Sequence, residues 1–287
     1  MNGLDSWWRG GEMRTLRVGA TERKVFVRIA GSGTPLLLLH GFPASSYEWA
    51  DVWPTLTRAH RVIAPDFLGF GASDKPPRHR YTLGEQADLV QALLAALEVA
   101  NPSVLTYDYG AIITQLLLAR GVVFDHVVLS NAGLFSELYR PRLVQKLATI
   151  PVLGPALGVL AANERTFARS WSAVFSAAHP LADTVAAEHW RAVREGNPGR
   201  TLQARLLSYI PQRAADSPRL ESALMDNLDC ISLLWGMQDP VSGPAIADEL
   251  RRRRPNVDLV EYQDAGHCPH LEIPARVAED VLARTAQ

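Results

Sequence analysis

The 287 residues, 47% hydrophobic and 21% charged, carry 29 basic against 30 acidic side chains, a formal net charge of −1. A chain of this size buries roughly three quarters of its unfolded surface without a metal or disulfide staple, which excludes disordered, fibrous and disulfide-scaffold classes. The balanced charge argues against nucleic acid as a partner, because phosphate binding rests on clustered cations that release counterions.

Behind a tryptophan-bearing leader, read as a helix packing on the domain, residues 25–29 form a strand, 36–39 a buried apolar strand, 47–57 a helix and 61–64 another strand. Residues 84–99 place Leu89, Leu93, Leu94 and Leu97 on one helical face, and Asn101-Pro102 stops that helix. A strand at 103–106, a helix at 111–120 and a strand at 126–129 follow. From Gly133 to Asn227 no strand pattern is legible, and Pro141, Pro151, Pro155, Pro180, Pro198, Pro211 and Pro218 divide the segment into short helices. Strands return at 230–235 and 257–262, with helices at 245–253 and 275–283. This alternation predicts an α/β fold with a mostly parallel, doubly wound sheet covered on both faces. Residues 1–133 and 228–287 form the core, and 134–227 an inserted helical cap, or lid.

Cys230 and Cys268 are too few for a disulfide framework and lack metal-ligand spacing, so no metal is expected and a reducing compartment is the default. The start of the chain, MNGLDSWWRGGEMR, lacks the pattern of a secretory signal, and the reading is cytoplasmic. The weakly polar stretch 147–162 is interrupted by Pro151, Gly154, Pro155 and Gly158 and falls short of the ~20 residues of a membrane span. The basic run Arg251 to Arg254, beside Asp248 and Glu249, reads as a solvated helix end. The residues leave oligomeric state open, a homodimer included.

The densest chemical signal is 104–112, Val-Leu-Thr-Tyr-Asp-Tyr-Gly-Ala-Ile. An apolar strand runs into Asp108, small residues follow at Gly110 and Ala111, and a helix begins. A strained strand-to-helix turn of this kind lifts one side chain above the sheet and needs small neighbours to let the backbone pass. Thr106 stands where such turns usually carry glycine. The carboxylate decides the reaction class: serine must first lose a proton, whereas aspartate is ionised at neutral pH and displaces a leaving group at saturated carbon, leaving an ester on the protein. The plain alternative is that Asp108 caps the following helix.

Upstream, His40-Gly-Phe-Pro43 ends a buried strand. The amides of Phe42 and Tyr109 are the candidate donors to a developing oxyanion, and His40 is read as structural. The Gly-rich turn from Asp66 to Asp74 lacks the Gly-Lys-Ser/Thr ending of a phosphate loop. Downstream, Asp239 and His267 stand at the ends of successive strands, giving the order nucleophile, acid, base. Asp239 would hold the imidazole tautomer, and His267 would deprotonate water. His270 is the competing base, and a histidine in a surface turn the plain alternative.

The segments His-Gly-Phe-Pro, Asp-Phe-Leu-Gly-Phe-Gly-Ala-Ser-Asp-Lys-Pro, Asp-Tyr-Gly and Ala-Gly-His resemble the α/β-hydrolase family, in its aspartate-nucleophile branch of epoxide hydrolases and haloalkane dehalogenases. The resemblance covers nearly the whole chain. More narrowly, the run from His40 to Trp49, Ser130-Asn-Ala-Gly-Leu-Phe135, Arg140-Pro-Arg-Leu and Tyr209-Ile-Pro-Gln-Arg213 resemble the mesoderm-specific-transcript-like subgroup. Haloalkane dehalogenases hold halide with a tryptophan after the nucleophile, commonly with an asparagine in the His-Gly turn or a lid tryptophan. Tyr109 and Phe42 occupy those two core positions here. The arginines by which fluoroacetate dehalogenases clamp a carboxylate have Ile112, Ile113 and Thr114 in their region.

Epoxide hydrolases use lid tyrosines to protonate the opening ring. Tyr209 matches one such position; the second has no counterpart, and Tyr139 is its nearest substitute. Trp171, Phe175 and Trp190 would line an apolar pocket, or else pack the core. The resemblance thus implies a cofactor-independent epoxide hydrolase acting on a small apolar substrate with water. The alternatives are a dehalogenase with an atypical halide site, an ester or lactone hydrolase using Asp108 as a base, and a ligand sensor on the same scaffold.

Overall fold

The computed structural model describes residues 3–138, 163–196 and 199–285. Among them, strands β1 (Gly11–Val18), β2 (Thr21–Ala30), β3 (Thr34–Leu39), β4 (His60–Pro65), β5 (Ser103–Thr106), β6 (Val127–Ser130), β7 (Ile231–Gly236) and β8 (Asp258–Tyr262) form one sheet ordered β1-β2-β4-β3-β5-β6-β7-β8. The β1–β2 and β2–β4 pairs are antiparallel; all other neighbours are parallel. Parallel pairing puts the carboxyl ends of β3, β5, β6, β7 and β8 along one edge. Ligand sites of open α/β sheets form at that edge.

The central strands are apolar throughout because both faces are covered. Leu37, Leu39, Val104, Leu129 and Leu233 pack into one core cluster, whereas Leu36, Leu38, Leu105, Val128 and Leu234 pack into the other. Alternate residues thus enter opposite layers, as a period of two requires. Each fully buried leucine stabilises the fold by about 1.5–3 kcal/mol.

Helix α1 (Gly3–Arg9) opens the chain, and β1 follows as an edge strand that the sequence reading missed. β1 buries only Leu16 and Val18, so its polar composition hides the strand pattern. The helix expected over 47–57 is instead a 3-10 turn, Ser46–Trp49, and helix α2 (Trp53–Leu56). Pro54 has no N–H to bond back to the carbonyl of Ala50, so the helix restarts with proline in its first turn.

Helices α3 (Leu83–Ala96) and α4 (Asp108–Ala119) cover the sheet. The Thr82 hydroxyl caps α3 by accepting the Glu85 N–H at 3.1 Å. Between β6 and β7 the described residues form helices α5 (Glu164–Ser172), α6 (Asp183–Arg194), α7 (Leu202–Leu206), α8 (Tyr209–Ala215) and α9 (Ser217–Asp226) and no strand. Pro211 and Pro218 sit in the first turns of α8 and α9, where a missing N–H costs nothing. Helices α10 (Pro244–Arg253), α11 (Pro269–Glu272) and α12 (Pro274–Thr285) complete the fold.

The leader helix does pack on the fold, and it bridges two parts of it. On the sheet side, Trp7 is buried 4.9 Å from the Trp53 ring, donates Nε1–H to Ser46 Oγ at 3.1 Å, and carries the Arg28 guanidinium on its face. On the other side, the Gly3 N–H bonds Glu188 at 3.0 Å and Asp5 pairs with Arg191, both on α6. Trp7→Ala is therefore expected to lower unfolding free energy by about 3–5 kcal/mol, measured by denaturant titration. An exposed tryptophan would cost far less.

Candidate active site

Asp108 begins α4 immediately after β5, with φ +45, a left-handed conformation that strains a residue bearing a Cβ. Its backbone is held there from two sides. The Asp108 N–H donates to the Asn131 carbonyl at 3.0 Å. Beneath it, a Cβ built on Gly110 would lie 2.3 Å from the Leu39 carbonyl oxygen, so only glycine lets α4 approach the end of β3. The carboxylate stands clear of helix capping, since Oδ2 accepts the Phe42 N–H at 2.8 Å from the loop after β3.

His267 approaches from the loop after β8. Its Nδ1 lies 2.7 Å from Asp239 Oδ2 and its Nε2 lies 3.8 Å from Asp108 Oδ1, too far for a hydrogen bond. The Asp239 carboxylate only accepts, so Nδ1 carries the hydrogen and Nε2 faces Asp108. Asp239 is itself fixed by the Ser242 hydroxyl at 2.5 Å, the Val241 N–H at 2.7 Å and Asn131 Nδ2 at 3.0 Å. Burial disfavours charge on Asp239, but the His267 charge and these donors outweigh it and hold the carboxyl below its ordinary range. Burial likewise pulls His267 down, yet the flanking carboxylates Asp239 and Asp108 win and lift it to about 10. Both directions describe one buried ion pair.

The structure brings Asp108, Asp239, His267 and the Phe42 amide together at the carboxyl edge of the sheet. Tyr209, at the start of α8, is buried with its ring 5.9 Å from Phe42 and 5.1 Å from Tyr109, so its phenol ring roofs the two residues flanking the carboxylate. The Val174 carbonyl accepts the His267 N–H at 2.9 Å, which sets Phe175 beside the histidine loop. Trp171 lies one layer back, its ring 5.6 Å from Phe175 and 4.5 Å from His189. Trp190 packs on Phe167. Tyr139 and the Arg140-Pro-Arg-Leu motif lie outside the described residues.

His270, the competing base, is buried against the rings of Trp49 and Tyr107, and burial together with the His267 charge pulls it down to about 3. It does not reach Asp239, whose Oδ2 belongs to His267. His40 is structural, bonding the Gly41 carbonyl through Nδ1 and accepting the Phe67 N–H on Nε2. The Gly-rich turn cradles no phosphate: Asp66 fills it, accepting the amides of Ser46 and Ala72, both at 2.7 Å. A groove between α5 and α6, lined by Glu164, Ala168 and Asp183, shares no residue with this cluster. Among the described residues, no three His, Cys, Asp or Glu side chains are placed to hold a metal, and no helix is long and apolar enough to cross a membrane.

Two residues of the site escaped the sequence reading as participants. Asn131 ties three strand ends together: its carbonyl takes the Asp108 N–H, its Nδ2 bonds Asp239 and the Gly236 carbonyl, and its Oδ1 accepts the Gly236 N–H at 2.6 Å. A polar residue directly after the all-buried strand β6 was the available signal. Ser242, three residues after Asp239, offered only a common loop residue.

A family model described as the alpha/beta hydrolase fold matches residues 34–274, and the chain belongs to that family. Its relatives include LipZ of Mycobacterium tuberculosis, 37% identical over 284 residues that span 96% of each protein. The human mesoderm-specific transcript homolog protein is 37% identical over 284 residues, 94% of this chain and 84% of that protein. Among solved structures, the haloalkane dehalogenase DbeA from Bradyrhizobium elkani superposes with a TM-score of 0.79 over 95% of this chain and 96% of that one, at 21% identity, which is likeness of fold. The family and subgroup resemblance read from the motifs is thus the one found.

Folding strengthens the hold of His267 on its proton. A histidine lifted from 6.5 to about 10 on folding contributes stability that is full below pH 6.5 and disappears as pH rises towards 10. The melting temperature of the protein, relative to that of His267→Gln, is expected to fall across that window. A constant difference between the two would contradict the buried ion pair.

Proposed function

We propose that this α/β-hydrolase family member opens epoxides to vicinal diols through a covalent ester on Asp108, with residues 134–227 acting as a cap over a small apolar substrate. The observation that carries the reading is the disposition of the two Asp108 oxygens. Oδ2 already sits on the Phe42 amide, while Oδ1 points towards His267 Nε2. Attack by Oδ1 on an epoxide carbon forms a carbon–oxygen bond as the ring carbon–oxygen bond breaks. The departing alkoxide is too basic to leave unassisted, and the Tyr209 phenol protonates it.

The ester carbonyl oxygen then remains on the Phe42 N–H, with the Tyr109 amide as its second candidate donor. Ester formation removes the charge of Asp108, so His267 loses one of the two carboxylates that raise its pKa; its Nε2 proton passes to the Tyr209 phenolate, which leaves a neutral imidazole free to act as base. Nε2 takes a proton from water, hydroxide attacks Cγ of Asp108, and Asp239 balances the imidazolium. Collapse breaks the ester carbon–oxygen bond, the departing alkoxide takes the imidazolium proton to complete the diol, and the remaining Asp108 hydroxyl proton passes to His267, restoring a carboxylate that keeps one oxygen from water. A halide-releasing reading is less well supported, because Phe42 and Tyr109 offer neither an indole N–H nor a side-chain amide to a departing halide.

Single-turnover hydrolysis of styrene oxide in isotopically heavy water, followed by mass analysis of the Asp108 peptide, tests the covalent route. Heavy oxygen is expected in that carboxylate, and its absence with turnover intact would reassign Asp108 to general base. Asp108→Asn should abolish diol formation. His267→Gln should stop the reaction at the ester, giving a burst of one equivalent. Tyr209→Phe should slow ester formation by about a hundredfold while leaving ester hydrolysis nearly unchanged.

A further inference from the structure

Behind the Asp108 carboxylate lies a second polar cluster that the proposed chemistry does not use. Glu48, in the turn Ser46–Trp49, is fully buried. Its Oε1 accepts the Gly41 N–H at 2.8 Å and its Oε2 accepts the Tyr107 hydroxyl at 3.1 Å. The same hydroxyl lies 3.8 Å from Cys268 Sγ, and His270 Nε2 lies 3.9 Å from Glu48 Oε2. Three of these residues are adjacent in sequence to a member of the candidate site. Gly41 precedes Phe42, Tyr107 precedes Asp108, and Cys268 follows His267.

The packing leaves these tethers no slack. A Cβ at Gly41 would lie 2.5 Å from the Tyr107 ring, so the loop after β3 rests directly on the residue preceding Asp108. A peptide held at its Gly41 N–H has its next N–H, that of Phe42, aimed at Asp108 Oδ2. An apolar side chain in place of Glu48 would leave the Gly41 amide buried without a partner and the Tyr107 hydroxyl with only the Cys268 sulfur, and both groups would turn to find others. Displacements of about 1 Å at a reacting group slow chemistry by roughly a hundredfold.

We propose that Glu48 is a positioning residue for ester formation: one buried carboxyl, holding the Gly41 amide and the Tyr107 hydroxyl, sets the Phe42 N–H and Asp108 in register. This rests on the reading of Asp108 as nucleophile. Burial raises the Glu48 carboxyl to about 8. Glutamine keeps its shape, with Oε1 accepting the Gly41 N–H and Nε2 donating to the Tyr107 hydroxyl oxygen, which turns its own hydrogen to the Cys268 sulfur. Alanine makes neither hydrogen bond.

The test is single-turnover ester formation from styrene oxide, read by mass of the Asp108 peptide, together with KM and melting temperature. Glu48→Ala is expected to slow ester formation by about a hundredfold with KM within threefold of wild type, and Glu48→Gln to restore the rate to within about fivefold. Tyr107→Phe, which removes one tether, is expected to slow it by about tenfold. Should Glu48→Ala fail to fold, the other two variants decide. The proposal is overturned if Glu48→Ala forms the ester at the wild-type rate, if folded Glu48→Gln is a hundredfold slow, or if Tyr107→Phe matches wild type. Wild-type protein that forms no ester on Asp108 overturns the nucleophile reading and this proposal together, whereas an ester formed equally fast by wild type and Glu48→Ala overturns the proposal alone.

Discussion

A charged side chain held out of the helix that it begins is the constraint on which the rest of the molecule depends. Asp108 occupies a left-handed conformation that its own Cβ disfavours, and the surroundings over-determine it. The Asn131 carbonyl takes its N–H, Gly110 allows α4 to close against β3, and the Phe42 amide takes one carboxylate oxygen. Asn131 and Phe42 come from the carboxyl ends of two other strands, β6 and β3. The parallel sheet is therefore the device that brings them to one point.

The electrostatics follow from the same arrangement. One imidazole lies between two carboxylates in a buried site, close to Asp239 and distant from Asp108. The near carboxylate orients and charges the ring; the far one leaves room between Nε2 and itself. Burial is what gives these charges their strength, because little solvent remains to screen them. The same burial makes Asn131 and Ser242 necessary, since an unsatisfied lone pair on Asp239 would weaken the carboxylate that holds His267.

The polar groups around the site form two layers. The inner one contains Asp108, His267 and Asp239, and the outer one contains Glu48, Tyr107, Cys268 and His270. Their separation is clear in the two histidines. His267 has a carboxylate at 2.7 Å and is raised, whereas His270 is packed between aromatic rings and is lowered to about 3. Three residues of sequence separate them, and opposite environments give them opposite character.

The interior of the fold was legible in the residues because buried strands and amphipathic helices write their periods directly into the chain. Strands β3, β5, β6 and β7 lie within a residue or two of where their apolar runs predict them. The edge strand β1 was not legible, because a strand that buries two side chains leaves little pattern, and the helix expected over 47–57 failed at Pro54. Asp108, Asp239 and His267 could be singled out because each follows an apolar strand at a short turn, a local property of the chain. Asn131 and Glu48 could not, because their meaning is a set of distances to residues remote in sequence. Sequence alone determined which groups could react; tertiary structure decided which oxygen of Asp108 faces which partner, and that hydrogen bonds across strand ends hold it there.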